Sequence, residues 1–198
     1  MKYQEIRATF DKKTITVYQA YNKNIAIPAI KNSHFEKPFS FTRMTWIKPS
    51  YLWLMERSNW GRKSNQEYIL AIKIRRECWE KALNIGVLTS PDKTIYANGL
   101  VWEEKFKEAK VHIQWDPERT IRGEKLPERS IQVGISRHLI EKFNNEWIAE
   151  IVDMTSLTKK ILKLQKEGKH KEAKRLIPVE RVYPLPEMIG KKIGVLYE

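Results

Sequence analysis

One cysteine, Cys78, stands in 198 residues. Without a second thiol no disulfide framework can form, and without Cys or His patterned around it no structural zinc site can either; the thiol reads as a buried one in a helical stretch. Histidine is almost as scarce, at His34, His112, His138 and His170, and no two of these share the HxxxH interval that sets paired imidazoles on one helix face, so no metal is expected. Each is read as a solvated or core histidine. No GxGxxG, GxxxxGK[ST] or GxSxG run occurs, which removes dinucleotide-fold, P-loop and α/β-hydrolase mechanisms. No apolar run reaches the roughly 20 residues that cross a bilayer, and the start MKYQEIRATF has no signal core, so the expectation is a cytoplasmic protein with no membrane partner. Internal repeats and low-complexity tracts are also lacking.

Acidic residues are in deficit, 24 against 37 Lys and Arg, for a formal net charge of +13. Such a field attracts polyanions, nucleic acid first and an anionic membrane surface second. The excess is uneven, with 16 Lys/Arg against 7 Asp/Glu in residues 1–90 and 21 against 17 in the remainder. Hydrophobic residues at 41% and aromatics at 11% are globular values, and a chain of this length builds one core more readily than two.

TITVYQAY (Thr14 to Tyr21) and EYILAIKI (Glu67 to Ile74) alternate as strands, as do VHIQW (Val111 to Trp115) and SIQVGIS (Ser130 to Ser136). Pro28 interrupts a short helix or turn after Tyr21. Pro49 opens a helix to about Arg57, and Arg76 to Ile85 forms another that stops at Gly86. A loop with Pro91 and Gly99 leads to a charged helix over Trp102 to Ala109. Prolines and a glycine make WDPERTIRGEKLPE a loop. From Ser136 the apolar positions Leu139, Ile140, Phe143, Trp147, Ile148 and Ile151 recur at helical spacing, Ser156 caps a helix ended at Gly168, and Lys169 to Ile177 makes its partner. The tail with Pro178, Pro184 and Pro186 reads as a surface strap. The fold class that follows is α+β: a single domain with a split, mostly antiparallel sheet and a C-terminal helical hairpin. Residues 1–155 form the nucleotide-binding core and 156–198 the hairpin and strap of the same domain.

SFTRMTWIKPSYLWLMERSNWGRK, residues 40–63, interleaves three tryptophans with fixed positive charge. Arg43, Lys48, Arg57, Arg62 and Lys63 carry donors suited to phosphate, and Trp46 and Trp60 flank the helix as stacking faces, while Trp53 within it is assigned to the core. Arg119 and Arg129 sit at strand ends where loops carry function, and Arg7 precedes the first strand. For each, an anchoring ion pair is the competing reading.

The blocks RATF, VYQAY, RMTWIKPSYLWLM, RSNWG, QWDPER, LPERSIQVGIS, DMT and YPLP resemble a small family of microbial and fungal proteins catalogued as domain of unknown function 4291, over almost the whole chain. A looser resemblance is to the ADP-ribosyltransferase fold, in its tRNA 2′-phosphotransferase and DNA-modifying toxin branches. TVYQAYNKNIAIPAI is similar in layout to that fold's first strand and helix, with Gln19 where its histidine stands. Thr42 or Thr45 falls at its Ser position, and Gln132, with Glu128 near it, falls where its catalytic Glu or Gln belongs. This second resemblance implies NAD as the nucleotide, without metal: Arg7, Tyr18, Arg43, Thr45, Trp46 and Lys48 as its clamp, and Gln132, Glu128 and Gln19 at the reacting ribose. Arg57, Trp60, Arg62, Lys63, Arg119 and Arg129 are then expected to meet nucleic acid. The alternative is a noncatalytic RNA- or DNA-binding module that uses the same basic, tryptophan-rich surface. Oligomeric state is not legible from the sequence.

Overall fold

The computed structural model describes residues 4–195; the last three residues of the expected strap, 196–198, lie outside these. In chain order the elements are β1 (Arg7–Ala8), β2 (Thr14–Tyr21), α1 (Lys23–Asn32), β3 (Thr45–Ile47), α2 (Tyr51–Ser58), β4 (Tyr68–Arg75), α3 (Arg76–Asn84) and β5 (Val87–Leu88). They continue as α4 (Gly99–Glu108), β6 (Val111–Arg119), β7 (Lys125–Ile135), α5 (Ile140–Lys142), β8 (Ile148–Asp153), α6 (Thr155–Lys166), α7 (His170–Arg175), β9 (Arg181–Val182) and α8 (Glu187–Ile193). The class is α+β, with mostly antiparallel sheets.

Two sheets carry the architecture, in the orders β2-β4-β8 and β3-β7-β6-β5, and a third, small one pairs β1 with β9. They join where Lys48, just past β3, leaves β7: its carbonyl accepts the Tyr18 N–H of β2 at 2.6 Å. The alternation read in β2, β4, β6 and β7 holds, because each buries one face in a core built on Ile15, Val17, Ile72, Ile74, Ile113, Val133 and Ile135. A second cluster lies on the far side of β2 and β4, where Tyr18, Ile69 and Ala71 meet Tyr51, Leu54 and Met55 of α2 and Ile161 and Ala173 of the α6–α7 hairpin.

Four local readings change. The tail read as an extended surface strap instead holds β9 and the helix α8, and it buries Tyr183 and Ile193 in the core. Pro28 lies inside α1, which runs unbroken for 10 residues from an Asn22 cap accepting the Asn24 and Ile25 N–H groups. WDPERTIRGEKLPE is a β-hairpin: β6 and β7 stay paired through Asp116–Ser130 and Pro117–Arg129, absorb the proline in a register shift and close with Arg119 opposite Lys125. The helix expected from Ser136 to Ile151 ends early. Its first part is α5 and a π-helical turn over Phe143–Trp147, and Ile148, Ile151 and Val152 then pair with β4. An apolar period of three to four served both states, and an unpaired edge of β4 decided between them.

Candidate nucleotide cleft

The four-stranded sheet has one apolar face and one polar face. Register places Trp46 of β3, Gly134 of β7 and His112 of β6 side by side, with Gln132 opposite Gln114 and Ser130 opposite Asp116 in the rows that follow. All of these share a face because side chains alternate along a strand. Gly134 leaves no room for a side chain, since a Cβ there would stand 2.7 Å from the Met44 sulfur and 3.0 Å from the Trp46 indole.

On this face Asp116 is held from two sides. Gln132 Nε2 donates to its Oδ2 at 2.8 Å, and Gln114 Nε2 to its Oδ1 at 3.0 Å. Two carboxamides thus fix one carboxylate in orientation. Asp116 lines a cavity of about 280 Å³ with Trp53, Glu56, Arg57, Lys63, Pro117 and Arg119. Beside it lies Lys48, 7% exposed. Its Nζ stands 5.1 Å from the Trp53 ring centroid and 3.4 Å from the Trp46 carbonyl, with no carboxylate among the described residues close enough for an ion pair. Burial pushes the Lys48 ammonium down to about 8, Arg57 adds repulsion, and Asp116 opposes both. Arg119 donates Nη1 to the Gly123 carbonyl at 3.0 Å and lies 3.8 Å from Glu56, while its buried Nε has no partner among the described residues.

Helix α2 positions this cluster. Ser50 caps it, accepting the Trp53 N–H at 3.1 Å and donating to Glu118 at 2.9 Å. The free Tyr51 N–H donates to the Glu180 carboxyl at 2.7 Å. Two carboxyls therefore meet the positive end of α2. Burial raises both, Glu180 to about 8, and the Glu118 charge further opposes ionisation of Glu180.

The remaining expected residues lie elsewhere. Gln19 is 4% exposed and braces the two sheets, donating Nε2 to Thr45 Oγ1 at 2.6 Å and to the Trp46 carbonyl at 2.9 Å; its Oε1 is without a partner among the described residues. Thr45 and Arg43 border a separate cavity of about 540 Å³ with Tyr21, Asn22, Phe39 and Asn65. Tyr18 is core, edge-on to Tyr51. Arg7 pairs with Glu5 at 2.9 Å and reaches the Glu180 carbonyl. Glu128 is half-buried on β7. Arg129 donates to the Trp115 carbonyl and borders a third cavity with Gln114. Arg62 is tied to Asn59 at 2.7 Å, and Lys63 Nζ to the Arg57 carbonyl. Arg7, Gln19, Arg43 and Gln132 thus do not meet around one concavity, whereas Lys48, Arg57, Lys63, Arg119 and Gln132 gather at the Asp116 cavity.

Trp53, read as core, carries Lys48 and lines the cavity, while Trp60 packs on Tyr51 with ring centroids 6.4 Å apart. Sequence reasoning also missed Asp116, Glu118, Ser50 and Glu180. The first two had a visible signal, since His112, Gln114, Asp116 and Glu118 continue one polar alternation through the proline. Cys78 is half-buried beside Arg75 and Glu77, its thiol raised by burial.

The family model described as Domain of unknown function (DUF4291) matches residues 5–183, and the chain belongs to that family. No curated protein matches it.

Proposed function

We propose that this member of the family is an ADP-ribosyltransferase-like enzyme that takes NAD or a related nucleotide between α2 and the polar face of the four-stranded sheet. The observation that carries the reading is Lys48, an ammonium 7% exposed and without an ion-pair partner among the described residues. Its depression to about 8 corresponds to a cost on the order of 3 kcal/mol at neutral pH. A cation–π contact with Trp53 returns about 1–2 kcal/mol, so the free protein carries a net penalty that an anion would relieve.

A diphosphate supplies the missing counter-charge, with Arg57, Lys63 and Arg119 as further donors, and the Trp53 indole gives a flat face to a base or nicotinamide ring. NAD, when bound, brings a ribose whose bond to nicotinamide is the one broken in ADP-ribosyl transfer. The chain's part is electrostatic: Asp116 offers the negative charge that Gln132 lacks, against positive charge developing at that ribose carbon. Gln114 and Gln132 act as positioning residues, and Gln19 as the brace that keeps β3 on β2. The split antiparallel sheet is compatible with the reading and does not by itself give an activity.

The test is nicotinamide release from NAD with oligonucleotide or protein acceptors present. Asp116→Asn is expected to lower the rate by about 10²- to 10³-fold while NAD affinity stays within about threefold. Equal release by both proteins, or none by either, contradicts the reading. The cation-rich rim also suits a noncatalytic module stacking unpaired bases on Trp53; that reading predicts oligonucleotide binding with no response to NAD.

A further inference from the structure

We infer that the α6–α7 hairpin extends the cavity's cationic rim into a track for a nucleic-acid backbone, which makes a polynucleotide the acceptor in the proposed reaction. In naming an acceptor this rests on the reading above; the binding surface does not. Residues 159–175 hold eight Lys/Arg (Lys159, Lys160, Lys163, Lys166, Lys169, Lys171, Lys174 and Arg175) against Glu167 and Glu172, and all eight cations are exposed. Glu167 is occupied by Lys169 at 2.9 Å and Lys163 at 3.8 Å. The other six have no ion pair among the described residues. Lys159, Lys163 and Lys166 fall on one face of α6 at intervals of four and three, a spacing at which like charges repel. A face that keeps such repulsion fits a polyanion.

Placement connects this face to the cavity. The hairpin's apolar side is already covered, with Ile161 and Ala173 buried and Leu157, Leu164 and Leu176 packed into the cluster that holds Tyr51, Trp60 and Ile121. Gln165 Nε2 donates to the Ile121 carbonyl at 2.9 Å, in the turn that carries Arg119 and Arg122. The hairpin therefore docks on the two elements that wall the cavity, α2 with Arg57 and the β6–β7 turn with Arg119.

A membrane surface is disfavoured. Helices that lie in lipid headgroups insert Leu, Phe or Trp beneath their lysines, and none of the exposed large apolar side chains, Ile27, Ile85, Leu100, Val179, Val182 and Met188, lies in residues 155–176.

The experiment is fluorescence anisotropy of a labelled single-stranded 20-mer with the full chain between 50 and 200 mM KCl. It compares Lys166→Gln/Lys171→Gln/Lys174→Gln with a control triple at equally exposed lysines elsewhere, Lys12→Gln/Lys13→Gln/Lys31→Gln. The hairpin triple is expected to weaken binding at least tenfold and to flatten the log–log salt slope by about 2, since each lost phosphate contact removes about 0.7. The control should change affinity less than twofold. Equal losses in the two triples, no loss in either, or hairpin-dependent binding to phosphatidylserine vesicles without oligonucleotide binding overturns the inference. Titration with NAD separates the two proposals: the hairpin triple should bind NAD like the wild type, so a missing NAD response with hairpin-dependent oligonucleotide binding removes the enzyme and leaves the track.

Discussion

At pH 7 Lys48 is still an ammonium, in surroundings that penalise its charge, because burial withholds water and Arg57 repels it while Asp116 only partly compensates. Lys48→Met keeps the length and the contact with Trp53 and removes the charge. It should stabilise the free protein by roughly 1–3 kcal/mol at pH 7, measured by urea denaturation. The sign with pH follows from the lowered value. Between about 8 and the ordinary 10.5 the unfolded chain holds a proton that the folded one has released, so wild-type stability rises across that window and the variant's advantage shrinks. A variant less stable than wild type at pH 7 would assign Lys48 to the fold instead. At Asp116 the corresponding contrast is Gln132→Ala, which frees one carboxylate oxygen while Gln114 still holds the other. Nicotinamide release should drop about tenfold with NAD affinity little changed, smaller than the loss for Asp116→Asn; a larger loss would make Gln132 the acting group.

Among the elements, β3 depends on a missing side chain. With Met44 at 2.7 Å and the Trp46 ring at 3.0 Å from the added atom, Gly134→Ala must displace the Met44 thioether and press on the indole. A cost of about 1–3 kcal/mol in thermal or urea unfolding is expected, with a changed tryptophan emission; an unaltered spectrum and stability would mean that Trp46 does not lie on β7. The strands were legible where one face is apolar and buried, as in β2, β4, β6 and β7. β8 was not, because Phe143, Trp147, Ile148 and Ile151 satisfy a helical period, and only the free edge of β4 makes the second half a strand. Within the site the cations were visible by composition, and Lys48, Arg57, Lys63 and Arg119 do gather. Asp116 went unread because its prolines suggested a loop, and Trp53 because a mid-helix tryptophan is usually core. Which basic residues share a cavity depends on how β3 crosses from β7 to β2, a long-range pairing without local signature.

Across the whole molecule, distant segments close on the N-terminus of α2. The strap brings Glu180 to the Tyr51 N–H while β9 pairs with β1, Thr9 Oγ1 donates to the Val179 carbonyl at 2.9 Å, and Arg7, Glu118 and Tyr18 surround the carboxyl. Because burial raises Glu180 to about 8 from 4.5, the folded chain binds more protons than the unfolded one between those values, and stability falls as pH rises through them. The raised Glu118 acts with the same sign. Glu180→Gln keeps an acceptor for Tyr51 and cannot ionise, so between pH 5.5 and 8.5 its melting temperature should fall several degrees less than that of the wild type. Parallel profiles for the two proteins would show that the strap does not carry this coupling.

The most direct measurement is calorimetric titration of NAD into the wild-type protein and Lys48→Met at pH 7. Saturable one-to-one binding by the wild type, weakened at least tenfold in a variant that is no less stable, is the result the cleft predicts. Equal affinities, or no heat of binding from the wild type, would contradict it.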